Sequence, residues 1–280
     1  FMTGILDVGG GMRGIFGAGV TDCLFDEKVY LPYCIGVSAG SANLISYIAK
    51  QRGRNYRFYT RYAMRPEYMS LQNFLKKRSY FDLDYVYGTL SVTGGEDPVD
   101  YDAFFRAGQT LITVATRADN GKPQYFTNED FHTDDLSPLK GSCAIPGVCK
   151  PYKVGDSLYF DGGVADPVPV EKALADGCDR LLVVLTKPLD FVKKPEHFRA
   201  AYTRALRAYP NIVKELKMRA DVYNRGVEKA RALASEGRAV ILAPAGGYHV
   251  TAFTKNEKKL ERLYREGYEA AQNALSKLKL

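Results

Sequence analysis

"DVGGGMRGIFGAGV", residues 7–20, places a glycine-rich turn between a short apolar run and a helix-forming segment. The apolar run, "TGILDVG" at residues 3–9, predicts a buried strand, and the residues after the glycines predict a helix. A turn of this kind presents backbone N–H groups and the positive end of the helix dipole to an anion. Two anions fit this description: the phosphate of a nucleotide, and the oxyanion that forms transiently during ester hydrolysis.

The nucleotide interpretation depends on the residue at the end of the next strand. Gly9, Gly11 and Gly14 satisfy the G-x-G-x-x-G spacing of dinucleotide-binding proteins. In those proteins an acidic residue at the end of the second strand binds the ribose. The second predicted strand here, "YCIGVS" at residues 33–38, ends at a serine instead. The sequence therefore disfavours a dinucleotide site.

That serine lies in the motif "GVSAG", residues 36–40, between the predicted strand and a predicted helix at 39–51. In the G-x-S-x-G nucleophile elbow, a sharp turn exposes the serine hydroxyl, and flanking glycines keep Cβ atoms out of the crowded bend. The strand–turn–helix context is the one that the motif requires. We therefore expect Ser38 to be a nucleophile.

Two candidates can serve as the base for Ser38. The chain order Ser38, Asp161, His249 suits the triad of an α/β-hydrolase. Against this triad, Ser38 follows only two predicted strands, and nothing else in the sequence marks His249 as a base. The other candidate is Asp161 alone, which ends an apolar strand in "YFDGG". A carboxylate with a pKa near 4 is a weak base, so a Ser–Asp dyad requires strong oxyanion stabilisation, worth about 10²–10³-fold per donor.

Three motifs stand in order along the chain: "GGGMRG" at 9–14, "GVSAG" at 36–40 and "DGG" at 161–163. In this order they resemble the patatin-like phospholipase family, over about residues 4–190. The resemblance implies a three-layer α/β/α fold and an acyl hydrolase that uses a Ser–Asp dyad, with roles in lipid metabolism and lipid degradation. The last third of the chain resembles the C-terminal extension of a bacterial, intracellular patatin-like subgroup.

Carried over by position, the resemblance implies that Ser38 is the nucleophile and Asp161 its general base. It implies an oxyanion hole built from the N–H groups of Gly10 and Gly11, with Met12 as a further donor. Val8 departs from the pattern, because many relatives have a polar residue there, and this puts a supporting contact to the loop in question. The residues that complete the three motifs are Gly9, Arg13, Gly14, Gly36, Gly40, Gly162 and Gly163.

The positive charge of the chain is unevenly distributed. The formal net charge is +7, and no acidic residue occurs between Glu27 and Glu67. Helical spacing would place four arginines of this window on one face. One interpretation is peripheral contact with an anionic membrane; the others are a solvated face and a subunit contact, which leaves oligomer formation open. No nucleic-acid motif accompanies the patch, so nucleic acid is not an expected partner. The four residues are Arg54, Arg57, Arg61 and Arg65.

The remaining sequence patterns indicate the fold class and the domain organisation. Continuous β-branched runs at 110–118 and 180–188 favour a mostly parallel sheet with helices on both faces. We expect a catalytic domain at 1–192 and a mainly helical extension at 193–280, whose one strand at 238–245 could join the main sheet.

Five scattered cysteines and three histidines argue against disulfides and against a metal site, and no cofactor is expected. With no apolar run of about 18 residues and no secretory signal pattern, we expect a cytoplasmic protein, with peripheral membrane contact through the arginines as the alternative.

Overall fold

An eight-stranded sheet forms the centre of the computed structural model, which describes residues 1–197, 200–247 and 249–278. The strand order is β5-β6-β3-β2-β1-β7-β8, and β4 also pairs with β3. The strands are β1 (Thr3–Asp7), β2 (Tyr33–Val37), β3 (Thr110–Arg117), β4 (Pro123–Phe126), β5 (Tyr152–Val154), β6 (Ser157–Asp161), β7 (Arg180–Val184) and β8 (Ala239–Leu242).

Five neighbouring strands, from β8 through β7, β1 and β2 to β3, run parallel to one another. The antiparallel pairings are confined to one side, where β4 and β6 flank β3 and β5 pairs with β6. The predicted fold class, a mostly parallel α/β sheet, is confirmed. The C-terminal strand β8 pairs with β7 in parallel register, Leu181 beside Ala239, and so belongs to the main sheet.

The helices occupy the two faces of this sheet and the connections between its strands. They are α1 (Ile15–Asp26), α2 (Ala39–Ile48), α3 (Arg54–Thr60), α4 (Leu71–Lys77), α5 (Tyr101–Arg106), α6 (Ser137–Cys143), α7 (Val170–Ala175), α8 (Ala200–Ala205), α9 (Pro210–Ser235) and α10 (Glu257–Leu278). Short 3₁₀ segments cover Gly11–Gly14, Tyr62–Met64 and Asn128–Asp130, and a π-helical turn covers Tyr85–Thr89. Within the described residues, no helix has both the length and the apolar character needed to cross a bilayer.

Both faces of the sheet are buried. The neighbouring residues Ile5 and Leu6 of β1 point to opposite faces and belong to two different apolar clusters. Helices α1, α2 and α10 cover the Ile5 face, and α7 and α9 cover the Leu6 face. This explains why the central strands read as continuous apolar runs rather than as alternating patterns.

The contact between α1 and α10 joins the C-terminal helix to the first helix of the chain. At the crossing, Gly19 lies against the Tyr264 carbonyl, and Gly267 lies against the Phe16 carbonyl. A Cβ at Gly267 would lie only 2.0 Å from the Phe16 oxygen. The two helices can approach this closely because neither carries a side chain at the point of contact.

The four arginines of the basic segment do not form one solvent-facing surface. Arg54 is 4% exposed and donates to the Asp97 carbonyl and to the hydroxyls of Ser46 and Ser91. The prediction that Arg54 lies on a membrane-facing surface is therefore wrong. The side chain is buried because Asp97, which is distant in sequence, folds back against it. Of the other three, Arg57 pairs with Asp97 at 2.6 Å, Arg65 pairs with Glu96 at 2.6 Å, and Arg61 is exposed.

The helix crossing gives a stability prediction. Gly267→Ala should lower the free energy of unfolding by about 1–3 kcal/mol, because the added methyl group forces α1 and α10 apart, which outweighs the gain in helix propensity of up to about 1 kcal/mol. Chemical denaturation followed by circular dichroism measures this change. Glu269→Ala, an exposed position on the same helix, should stay within about 0.5 kcal/mol of the parent. A Gly267→Ala variant as stable as the parent would contradict the close contact.

Candidate active site

The carboxyl ends of the central strands bring the three glycine-rich motifs together. The loop at 9–14 follows β1, and Ser38 follows β2, which pairs directly with β1. Asp161 ends the antiparallel strand β6, where it lies beside Ala115 of β3, and β3 in turn pairs with β2. Because β6 runs in the opposite direction to its neighbour, its last residue lies near the point where β2 ends.

Ser38 occupies a strained turn between β2 and α2. Its φ of 57° and ψ of −128° lie in a region that residues with a side chain rarely adopt. Hydrogen bonds through Ser142 hold the turn in place. The Ser38 amide donates to Ser142 Oγ at 2.9 Å, and that hydroxyl donates to the Val114 carbonyl at 2.5 Å. Gly40 lies against the carbonyl of Asp7, where a Cβ would be 2.1 Å from the oxygen. The strain matches the nucleophile-elbow motif.

Asp161 is buried beside the serine. Its Oδ1 accepts from the Gly163 amide at 2.8 Å, and its own amide donates to the Ala144 carbonyl at 2.8 Å. Burial raises the pKa of this carboxyl, while hydrogen bonding to the Ser38 hydroxyl and to Gly163, together with the charge of Arg219, lowers it. A carboxylate with a raised pKa that also contacts a serine hydroxyl is suited to accept the proton of that hydroxyl.

The glycine loop lies against the serine turn and contains three consecutive glycines. Gly9, Gly10 and Gly11 have φ values of 63°, 124° and 57°, a run that only glycine adopts readily. The Gly9 amide is used within the protein, where it donates to Asp7 Oδ1 at 3.0 Å. Among the described residues, no acceptor is bonded to the Gly10 or Gly11 amide. These two donors, together with Ser38 and Asp161, line one cavity.

The Met12 amide differs from its two neighbours. It donates to the Ala252 carbonyl at 3.1 Å, so in this structure it is engaged by the C-terminal segment. The same carbonyl lies over Gly11, where a Cβ would be 2.6 Å from the oxygen. Of the three donors predicted from the sequence, two remain unengaged.

Asp7 supports the loop from inside the sheet. The carboxylate is fully buried and accepts from the Gly9 amide and from Asn43 Nδ2, both at 3.0 Å. Asn43 also donates to the Gly14 carbonyl and accepts from the Tyr59 hydroxyl at 3.1 Å. The pKa of Asp7 is raised to about 6, because the effect of burial exceeds the opposing effect of the hydrogen bonds from Asn43 and Gly9. Asp7 was not among the site residues predicted from the sequence, although an acidic residue inside an apolar strand is a visible signal.

Val8, the next residue, is the position at which the chain departs from the family pattern. Its amide donates to the Val184 carbonyl of β7 at 3.2 Å, so its backbone continues the sheet. The polar contact to the loop comes instead from Asp7, one residue earlier.

Two cavities of different character meet at Ser38. Gly11, Ser38 and Ile145 line both of them. The first cavity, of about 50 Å³, has mostly apolar walls; they include Met12, Phe58, Tyr59, Tyr68, Phe81, Leu83, Val86 and Cys143. The second, of about 260 Å³, is lined by Asp161 and by Gly9, Gly10 and Gly11 of the glycine loop. A substrate bound at Ser38 could therefore extend in two directions.

His249 lies outside this arrangement. It is exposed and lines a separate surface cavity, together with Pro244, Gly246 and Val250. Neither cavity that contains Ser38 includes His249 among its described walls. The structure thus brings Ser38 to Asp161 and leaves the histidine of the alternative triad apart.

Comparison with known protein families adds an independent finding. The family model described as "Patatin-like phospholipase" matches residues 8–174. A second family model, a domain of unknown function named DUF6363, matches residues 209–280. The first match covers the glycine loop, Ser38 and Asp161, and the second covers α9, β8 and α10 in full.

Two curated proteins are similar to about two thirds of the chain. YjjU of Escherichia coli strain K12, described as uncharacterized, is 33% identical over 202 residues, which are 68% of this chain and 54% of YjjU. Lysophospholipase NTE1 of Yarrowia lipolytica is 24% identical over 197 residues, 67% of this chain and 13% of NTE1. The chain thus spans about half or less of the length of these two curated relatives.

Among solved structures, VipD from Legionella pneumophila aligns with a TM-score of 0.47 at 14% identity, over 98% of this chain and 67% of VipD. The family model itself matches more than half of the chain and includes all three glycine-rich motifs. The resemblance read from those motifs is confirmed: the chain belongs to the patatin-like phospholipase family.

Proposed function

We propose that the protein is a serine acyl hydrolase that cleaves lipid-like carboxylic esters through a Ser38–Asp161 dyad. The observation that carries the proposal is the buried Asp161 carboxylate beside the Ser38 hydroxyl, at a strained backbone turn, in a cavity that the two glycines with unengaged amides also line. Membership of a family named for phospholipase activity supports the same class. One curated relative is named a lysophospholipase, which is a carboxylic ester hydrolase.

The proposed reaction proceeds through an acyl-enzyme. Ser38 Oγ attacks the ester carbonyl carbon while its proton passes to Asp161. The Gly10 and Gly11 amides stabilise the negative charge that develops on the carbonyl oxygen. The C–O bond of the ester then breaks, and Asp161 returns the proton to the departing alcohol.

In the second half of the reaction, Asp161 takes a proton from water while the resulting hydroxide attacks the acyl carbon. The acyl–Oγ bond breaks, the carboxylic acid leaves, and the proton on Asp161 returns to Ser38. The loop amides serve in both halves, because each half passes through a tetrahedral oxyanion. No cofactor enters either half.

The apolar cavity indicates where the acyl chain binds. Its walls carry the side chains of Phe58, Tyr68 and Phe81, which would remove an alkyl chain from water. Its volume of about 50 Å³ is small compared with the roughly 300–1,000 Å³ of sites that bury drug-sized ligands. A short acyl chain is therefore the best probe of the site.

Substitutions in the dyad test this proposal. Ser38→Ala and Asp161→Asn should each reduce hydrolysis of a short-chain nitrophenyl ester by about 10³-fold or more, because each removes a group that acts on the reacting atoms. His249→Asn should retain the activity of the parent, since His249 lies in a separate cavity. Steady-state kinetics on folded variants measures the effect. Loss of activity in the histidine variant would favour the triad instead.

Covalent labelling distinguishes the proposed hydrolase from a second class of function, a non-catalytic lipid- or protein-binding module on the same fold. A fluorophosphonate probe should label the parent protein at Ser38, which mass spectrometry of the digested protein locates. Ser38→Ala should not be labelled. If the folded parent protein also remains unlabelled, the binding module becomes the better interpretation.

The charge around Asp161 gives a pH prediction. Asp161 must be ionised to accept a proton, so kcat/KM for a neutral ester should fall as the pH drops through the pKa of this group. Because burial raises that pKa, the midpoint should lie above the ordinary value of about 4. Arg219→Gln removes a positive charge that lowers this pKa, so the midpoint should move to higher pH.

The matched control is Lys217→Gln, an exposed position on the same helix, which should leave the midpoint in place. A profile centred near pH 4, or an Arg219→Gln variant with the midpoint of the parent, would argue against Asp161 as the base.

A further inference from the structure

The larger of the two cavities at Ser38 carries a concentration of positive charge. Of the described residues that line it, Asp161 is the one carboxylate. A second carboxylate, Glu196, lies 3.4 Å from Arg219 and 3.6 Å from Lys193. The cations that line the cavity are Arg13, Lys187, Lys193 and Arg219. We call these four residues the basic cluster.

Arg13 places one end of the basic cluster against the oxyanion loop. A Cβ at Gly10 would lie 3.1 Å from Arg13 Nη2 and 3.2 Å from Nε. The Nε atom is buried and has no hydrogen-bond partner within the described residues. Burial lowers the pKa of Arg13, and the charge of Arg219 lowers it further. Arg13 is thus a partly desolvated cation with an unused donor.

Arg219, on α9, approaches the other side of the dyad. A Cβ at Gly163 would lie 3.4 Å from Arg219 Nη2 and 3.1 Å from Asp161 Oδ1. Its Nε is also buried without a partner in the described part of the chain. The two guanidinium groups therefore flank the position of the reacting ester, and each holds an unused N–H donor.

Lys187 and Lys193 add to the positive electrostatic potential of the cavity. Burial lowers the pKa of Lys187, as do the charges of Arg13 and Lys193. Burial likewise lowers the pKa of Lys193; the charge of Arg219 adds to this, and Glu196 opposes it. Asp161 and Glu196 offset two of the four half-buried positive charges, which leaves the cluster with a net positive charge. The cluster is therefore organised for a negatively charged ligand.

The geometry relates this ligand to the ester. Ser38 and Gly11 line both the apolar cavity and the basic one. With an ester carbonyl at Ser38 and its acyl chain in the apolar cavity, the alcohol portion of the substrate would extend into the basic cluster. The negative charge that the cluster binds would then belong to the alcohol portion of the substrate, which in a lipid carries the headgroup.

We propose that the basic cluster binds a terminal phosphate monoester on the alcohol side of the substrate, so that the enzyme prefers acyl-glycerol phosphates to uncharged or zwitterionic esters. The inference rests on the proposed acyl hydrolase function. A phosphate monoester carries a charge of about −1.5 to −2 at pH 7 and three acceptor oxygens, which match the unused guanidinium donors. A choline headgroup would place a fixed positive charge among the same four cations.

Paired substrates test this preference. 1-Acyl-glycerol 3-phosphate and 1-acyl-glycerol with the same short acyl chain differ only in the phosphate, and both are used below the concentration at which they aggregate. The parent protein should show a higher kcat/KM for the phosphorylated ester. Lys187→Gln and Lys193→Gln should each lower the ratio of the two kcat/KM values by about tenfold, the loss of one charge-assisted contact worth about 1.4 kcal/mol.

Lys194→Gln is the matched control, because this exposed neighbour of Lys193 does not line the cavity. It should keep the ratio of the parent. Equal kcat/KM values for the two esters in the parent, or lysine variants with an unchanged ratio, would overturn the proposal while leaving ester hydrolysis by Ser38 intact.

Inorganic phosphate separates a headgroup site from a site for the free ion. Phosphate should inhibit hydrolysis of the phosphorylated ester competitively, and more weakly in Lys193→Gln. If phosphate inhibits but the parent does not prefer the phosphorylated ester, the site serves the free ion, and the substrate assignment is wrong. Calorimetric binding of 1-acyl-glycerol 3-phosphate to Ser38→Ala, with 1-acyl-glycerol as reference, tests the headgroup site even if turnover is absent.

Discussion

The close backbone contact between the ends of β1 and β2 is the constraint on which the rest of the site depends. Gly40 lies against the Asp7 carbonyl, and Gly9 lies against the Val37 carbonyl, where a Cβ would be 2.2 Å from the oxygen. These approaches pack the glycine loop directly against the serine turn. The buried Asp7 carboxylate then fixes the loop by accepting from the Gly9 amide. Preorganised donors of this kind stabilise a developing charge without reorganising during the reaction.

Much of the fold could be predicted from the sequence, because its central strands are continuous apolar runs bounded by glycine. The runs at 3–9, 33–38, 110–118, 180–188 and 238–245 correspond to β1, β2, β3, β7 and β8, each one to four residues shorter than its run. The shortening follows from the turns, which use the last residues of each run. The helices α4, α5 and α6 gave no comparable signal, since they are only six or seven residues long.

The site was predictable where motifs are local and unpredictable where partners are distant in sequence. Ser38, Asp161 and the loop glycines lie within short patterns, and these residues line one cavity. The role of Ser142, which holds the serine turn, depends on a contact across 104 residues. The burial of Arg54 likewise depends on Asp97, 43 residues away, and no helical spacing could reveal it. The engagement of Met12 by Ala252 belongs to the same class of long-range contact.

The pairing of β1 with β7, and of β7 with β8, has a consequence for how the two matched family segments could evolve. The patatin-like match ends at residue 174, before both β7 and β8. A chain that ended at residue 174 would lack β7 and so leave β1 as an open edge, with unpaired N–H and C=O groups ready to pair with another molecule. The C-terminal segment also supplies Arg219 and Ala252 to the walls of the cavity at Ser38. Exchanging the C-terminal segment between relatives would therefore require a new cavity wall, and a chain that ended before β7 would also require a new cover for the edge of β1.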